Sequence, residues 1–123
     1  MSLDHLDELP TEKIIQEFVN VARRRGSAVL NSETRTANRM FDRMRAIDQV
    51  LRRRGHDARM ALLPLLKDED RSVRYYAAKY MLGVTPATAR QVIEAIAAIN
   101  FDALSGDAGM CLDALDDGIF RPD

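Results

Sequence analysis

Tryptophan is absent from the 123-residue sequence, cysteine occurs once, histidine twice, and aromatic residues make up only 6%. Each shortage closes a route. A lone Cys111 cannot form an internal disulfide, so nothing asks for an oxidising compartment and a cytoplasmic location is expected. Neither His5 nor His56 has a partner at His-x-x-x-His or Glu-x-x-His spacing, the pattern by which a helix presents two metal ligands, so no metal site is expected. There is no glycine-rich phosphate loop, no G-x-S-x-G elbow and no histidine placed to serve a Ser or Cys nucleophile. The acid pairs, Asp116-Asp117 and the run Asp68-Glu69-Asp70, lack the adjacent base or apolar pocket that splits two carboxylates into an acid and a base. No catalytic residue and no cofactor is therefore expected. No apolar run approaches the roughly 20 residues of a membrane span, and the opening MSLDHLDELP is acidic where a secretory signal would be basic. Neither a membrane segment nor a signal peptide is expected.

What the chain does contain is helix. Hydrophobic residues make up 46% and charged residues 30%, with few β-branched runs and an abundance of Ala, Leu, Arg and Asp, which predicts an all-α domain spanning residues 1–123. Residues 1–10 are expected to be a mobile lead-in. The clearest stretch is MALLPLLKDEDRSVRYYAAKYMLGV, from Met60 to Val84. Leu62, Leu63, Leu65 and Leu66 form an apolar stripe that Pro64 should bend, because proline lacks the N–H that would bond back along the helix. Asp70 is a natural N-cap for the next helix, whose Val73, Ala77, Tyr80 and Met81 recur at helical spacing with Tyr76 beside them. Arg71, Tyr75 and Lys79 fall on its outward side, and Gly83 is expected as its left-handed C-cap.

Two more hairpins flank this one. Ile14, Ile15, Phe18, Val21 and Ala22 predict a first helix that ends in Arg23-Arg24-Arg25-Gly26, where basic side chains complement the dipole and the glycine can cap. Asn31 or Ser32 can cap a second helix reaching Arg54, with Ala37, Met40, Phe41, Met44, Ile47 and Leu51 on one stripe. Its opposite side carries Arg35, Arg39 and Arg53, flanked by Arg43 and Arg45. Asp57 is expected to cap the third helix. Thr85-Pro86 is a strong start for a fifth, since proline at the first helical position loses no hydrogen bond. Residues 100–106 read as a loop, and Asp107 opens a sixth helix with Ala108, Cys111, Leu112 and Leu115 inside and Asp113, Asp116 and Asp117 outside. Gly118 and Pro122 end it, with residues 119–123 fraying.

Leu63-Pro64-Leu65-Leu66, Asp68, Asp70, Val73-Arg74, Ala77-Ala78 and Leu82-Gly83 together resemble one HEAT-like repeat of the bacterial, phycobilisome-lyase type. The whole chain is similar to a small bacterial family of HEAT-like domains with no assigned function. The resemblance implies a right-handed α-α superhelix of about three HEAT-like hairpins, in which helices two, four and six line a concave face. The third hairpin lacks the Val-Arg pair after an acidic turn, as terminal repeats often do.

Charge is distributed unevenly along the chain. Residues 11–63 hold twelve Lys or Arg against six Asp or Glu, whereas residues 64–123 hold six against ten. On the implied concave face, Arg35, Arg39 and Arg43, then Arg71, Tyr75 and Lys79, would form a basic part and Asp113 and Asp117 an acidic end. Such a gradient suits a protein partner, because complementary charge steers encounter and excludes wrong partners. A non-enzymatic protein-binding module is thus the expected function. The alternatives are nucleic-acid binding through the Arg-rich second helix and a small HEAT-like enzyme whose site the sequence does not reveal. A pI near 6.1 and the missing tryptophans weigh against the first alternative. The identity of the partner and the oligomeric state are not written in the sequence.

Overall fold

The computed structural model describes the backbone of residues 3–123 and the side chains from His5 onward. Met1 and Ser2, part of the expected mobile lead-in, lie outside the described residues. The described residues form a 3-10 helix, Leu3–Glu8, then α1, Thr11–Leu30, α2, Thr34–Arg54, and α3, His56–Met60. A second 3-10 helix, Leu63–Lys67, precedes α4, Arg71–Met81, α5, Pro86–Ile99, and α6, Ala103–Asp116. The fold is all-α, with no strand among the described residues. Three consecutive pairs pack together: α1 on α2, Leu63–Lys67 on α4, and α5 on α6. α4 also packs on α5 and α1, and α1 touches α6.

α4 is the centre of this arrangement, with seven of its eleven residues buried. It starts where an acidic N-cap predicts, the Asp70 carboxylate accepting from the backbone N–H groups of Ser72 and Val73 at 2.8 and 3.2 Å. Its small residues Ala77 and Ala78 let neighbouring helices approach closely, and both are fully buried. A helix enclosed on several sides has no true outward face. Tyr75, expected on the outward side of this helix, is 0% exposed.

Several boundaries differ from the pattern that local signals predict. α1 does not stop at Gly26 but runs on to Leu30. Gly26 is needed for another reason: a Cβ there would lie 1.8 Å from the Ser72 Oγ of α4, so the missing side chain is what lets α1 cross α4. The helix ends instead with Ser32 left-handed at φ 59 and with Glu33 N–H bonded to the Ala28 carbonyl at 2.8 Å. α2 accordingly begins at Thr34, and Asn31 and Ser32 belong to the end of α1. Pro64 breaks the third helix rather than bending it, and α3 opens at His56, one residue before the expected cap Asp57. Gly83 does not take up a left-handed conformation. A Cβ at Gly83 would stand 2.4 Å from the Asp123 carbonyl carbon, so this glycine makes room for the segment after α6.

α6 begins four residues before Asp107. Asp102 and Ser105 form a capping box, the Ser105 N–H reaching the Asp102 carboxylate at 3.0 Å and the Asp102 N–H reaching the Ser105 hydroxyl at 3.2 Å. Its end is where expected, with Gly118 left-handed at φ 72 and Ile119 N–H bonded to the Ala114 carbonyl at 2.9 Å. The first described turn and the segment after α6 are both tied down. Leu6 is buried, and the Arg54 guanidinium donates to the carbonyls of Leu6 and Asp7 at 3.5 and 3.1 Å. The Asp123 carboxylate, expected to fray with residues 119–123, lies 2.9 Å from Arg52.

Two glycine substitutions should therefore act with opposite sign. Gly26→Ala improves helix propensity but drives a methyl into Ser72 and should cost about 1–3 kcal/mol. Gly106→Ala lies on α6 with nothing near its Cβ and should stabilise by about 0.5–1 kcal/mol. Urea unfolding at constant slope ranks them, and a stabilising Gly26→Ala would mean that α1 and α4 do not cross at this point.

Candidate binding groove

A groove of about 470 Å³ opens between α2, α4 and α6, with the segment after α6 forming one edge. The α2 wall is not the face carrying Arg35, Arg39 and Arg43. It is the neighbouring one, with Phe41, Met44, Arg45, Asp48 and Arg52. α4 contributes Tyr76, Lys79 and Tyr80, and α6 contributes Asp107, Met110 and Cys111. Periodicity predicts Phe41 inside, yet it is 39% exposed, and Met110 opposite is 71% exposed. Two large apolar side chains thus face solvent across one cleft.

The candidate surface residues of the sequence are only partly brought together. Lys79 lies in the groove, its ammonium 5.5 Å from the centre of the Tyr75 ring and 3.8 Å from the Asp107 carboxylate. Tyr75 lies beneath, donating its hydroxyl to Asp107, so it ties α4 to α6 and offers nothing to a partner. Arg71 is paired with Asp102, the N-cap of α6, with its guanidinium 5.8 Å from the Phe101 ring centre. That hydrogen bond holds the Asp102 carboxyl below the ordinary 3.8. Arg35 and Arg39 are exposed on α2 and Arg43 is half-buried, none of them lining the groove, and Asp113 and Asp117 are exposed and do not line it either. Arg53 leaves the basic face of α2 to pair with Asp7 at 2.8 Å.

Arg25 is the residue that local signals misassign. Once α1 continues past Gly26, positions 18, 22 and 25 share its inward side, so an arginine there points at the core. Its guanidinium lies 5.1 Å from the Phe41 ring centre and 5.5 Å from that of Tyr76, and one nitrogen donates to the Ala37 carbonyl at 2.6 Å. The Nε is buried without a hydrogen-bond partner. A cation held over two ring faces gains about 0.5–2 kcal/mol from each ring as it is desolvated and is fixed in place.

The charges of the groove do not balance. Arg52 is shared by Asp48 at 2.8 Å and Asp123 at 2.9 Å, and Asp107 takes Lys79 and the Tyr75 hydroxyl. Among the described residues, Arg25, Arg45 and Arg121 have no carboxylate partner: Arg45 rests its guanidinium 5.8 Å from the Phe41 ring centre, and Arg121 donates to the Gly118 carbonyl at 3.0 Å. Burial pushes the Asp48 carboxyl above 3.8 although Arg52 opposes the shift, and burial raises the Cys111 thiol above 9.0, which marks it as packing rather than a nucleophile. The groove therefore presents apolar walls beneath the uncompensated guanidiniums of Arg25 and Arg45, with a third, Arg121, at its edge. Among the described residues no cluster of three His, Cys, Asp or Glu side chains is placed to hold a metal, and no helix is long and apolar enough to cross a membrane.

Helices packed around a buried α4, with one cationic and apolar cleft, define a small all-helical domain. The chain belongs to the family described as Domain of unknown function (DUF2019), whose model matches residues 12–116. Its fold is similar to the crystal structure of the protein RPA1889 from Rhodopseudomonas palustris CGA009, at 39% sequence identity and a TM-score of 0.87, over 96% of this chain and 98% of that one. No curated protein matches the chain.

All three tyrosines sit where burial favours the neutral phenol. Tyr76 and Tyr80 are pushed up to about 12, and Tyr75, which also donates to Asp107, lies higher still. Because the folded values are raised, the resulting stabilisation is complete below the ordinary 10.0 and is lost as pH rises through the folded values. In an alkaline titration, tyrosinate absorbance should not rise near pH 10 and should appear only with the loss of helical circular dichroism. A tyrosine ionising near 10 in a fully helical protein would place that ring at the surface.

Proposed function

We propose that the chain is a non-enzymatic, cytoplasmic binding module, a short right-handed superhelix of HEAT-like hairpins that takes a segment of a protein partner into the groove between α2, α4 and α6. The observation that carries this reading is Phe41 and Met110, exposed on opposite walls, with Arg25 and Arg45 fixed above them and lacking acidic partners. Concave apolar clefts with a few placed polar groups are the usual form of binding sites, and a methionine wall adapts to varied side chains. The complementary segment carries a bulky apolar anchor and at least one carboxylate. A non-catalytic role is supported by the commitment of the acids: Asp48 and Asp123 to Arg52, and Asp107 to Tyr75 and Lys79. The HEAT-like part rests on the three consecutive helical pairs and on the motif residues of 60–84.

Selection of displayed peptides on the immobilised chain tests this. Recovered sequences should be enriched in an aromatic or large aliphatic residue near an Asp or Glu. Met110→Glu should weaken their binding about tenfold without moving the urea midpoint, because an exposed side chain contributes little to folding. Peptides without these features, or full binding by Met110→Glu, would refute the groove. If duplex DNA binds instead, and reversal of Arg35 and Arg39 to Glu abolishes it, nucleic-acid binding replaces the proposal.

A further inference from the structure

One end of the groove already holds a carboxylate, and that carboxylate belongs to the chain itself. After the turn at Gly118, the N–H groups of Ile119 and Phe120 reach the Ala114 carbonyl at 2.9 and 3.0 Å. From Arg121 to Asp123 no further main-chain hydrogen bond to main chain is made among the described residues. What holds Asp123 is side-chain chemistry. Arg52 meets its side-chain carboxylate at 2.9 Å, Arg59 donates to its main-chain oxygen at 3.2 Å, and its backbone lies over Gly83 where a Cβ would stand 2.4 Å away. Three separate elements, α2, α3 and the end of α4, thus converge on one acidic residue.

The fit is incomplete in an informative way. Arg59 keeps its Nε and Nη2 buried with no hydrogen-bond partner, although a guanidinium is built to give two parallel bonds to one carboxylate. Only one main-chain oxygen of Asp123 accepts from Arg59. Its carboxylate is 86% exposed, and exposed ion pairs contribute little, so release of that carboxylate is cheap. Phe120, three residues earlier, is half-buried against the core at the edge of the groove. An apolar anchor followed by an acid is the same chemistry that the unpaired arginines of the groove ask for.

We infer that Arg52 and Arg59 form a carboxylate-recognition subsite at the end of the groove, occupied by the molecule's own Asp123 until an acidic side chain of the partner segment displaces it. The inference rests on the proposed peptide-binding function and adds where the acid is read and what must leave first. Displacement sets a threshold: a competitor must satisfy the spare donors of Arg59 to outbid a contact that is intramolecular and hence always present at high effective concentration.

Because the chain has no tryptophan, Phe120→Trp places one fluorophore in the segment. The probes are a blocked peptide copying residues 119–123 and the same peptide with its aspartate replaced by asparagine. The first should shift the tryptophan emission to the red, saturably, and the second should bind about tenfold more weakly. In the full chain Asp123→Asn should tighten binding of the acidic peptide several-fold, since the internal competitor is weakened, while Arg52→Gln should weaken it. A role confined to stability would move neither affinity in opposite directions, and Asp123→Asn keeps the test valid if Arg52→Gln folds poorly. Equal binding of the two peptides, or an Asp123→Asn chain with parent affinity, overturns the subsite. If display-selected peptides bind in a Met110-dependent way with the tryptophan unmoved, the subsite falls and the groove stands. If no peptide binds, both fall.

Discussion

The close crossing of α1 over α4 at Gly26 and Ser72 is the constraint from which the rest of the molecule follows. With no Cβ at position 26, α1 can approach α4 at its N-terminal turn, and the Asp70 cap fixes where that turn begins. α4 is then enclosed by α1, α5 and the Leu63–Lys67 turn, and its alanines are the price of that closeness. Enclosure leaves Tyr75 no route to water, so its hydroxyl must find a buried partner, and it finds Asp107 on α6. That bond, with the Arg71–Asp102 and Lys79–Asp107 pairs, ties α6 to α4. The groove is the space left between them and α2.

The arginines divide by what they meet. Arg53 and Arg54 hold the N-terminal turn, Arg71 holds the cap of α6, and Arg74 donates to the carbonyls of Asp68 and Glu69 at 2.8 and 3.1 Å. These are structural clamps, each replacing a backbone or carboxylate contact that water would otherwise supply. Arg25 and Arg45 differ because their partners are aromatic faces rather than anions. A cation over a ring keeps most of its charge available, so these two help keep the groove positive toward an approaching segment. An acidic segment is steered in, and a basic one is repelled, before any apolar contact forms.

Local chemistry made much of the fold legible. The Asp70 cap, the Thr85-Pro86 start of α5, the Gly118 end of α6 and, Phe41 apart, the stripe from Ala37 to Leu51 depend on residues within a turn or two of one another, and the structure has them as expected. What local chemistry hides is set by distant chain. Gly26 and Gly83 look like helix ends but are spaces kept for Ser72 and Asp123. Tyr75 falls outward on a helical wheel because a wheel assumes one wet side, which α4 lacks. The Asp102–Ser105 capping box is hidden by Gly106 and its polar neighbours, which make residues 100–106 read as a loop. The same blindness displaced the candidate site: helices two, four and six do line the groove, but through Phe41, Arg45 and Met110 rather than through Arg35, Arg39 and Asp113.

The most direct test of the central claim is the amide chemical-shift map of the isotope-labelled chain titrated with a selected acidic, apolar-anchored peptide. The account predicts that the largest changes fall on Phe41 to Arg45, on Tyr76 to Tyr80 and on Asp107 to Cys111, with Arg35, Arg39 and Asp113 unmoved. Changes confined to Arg35 and Arg39, with the groove residues silent, would contradict it.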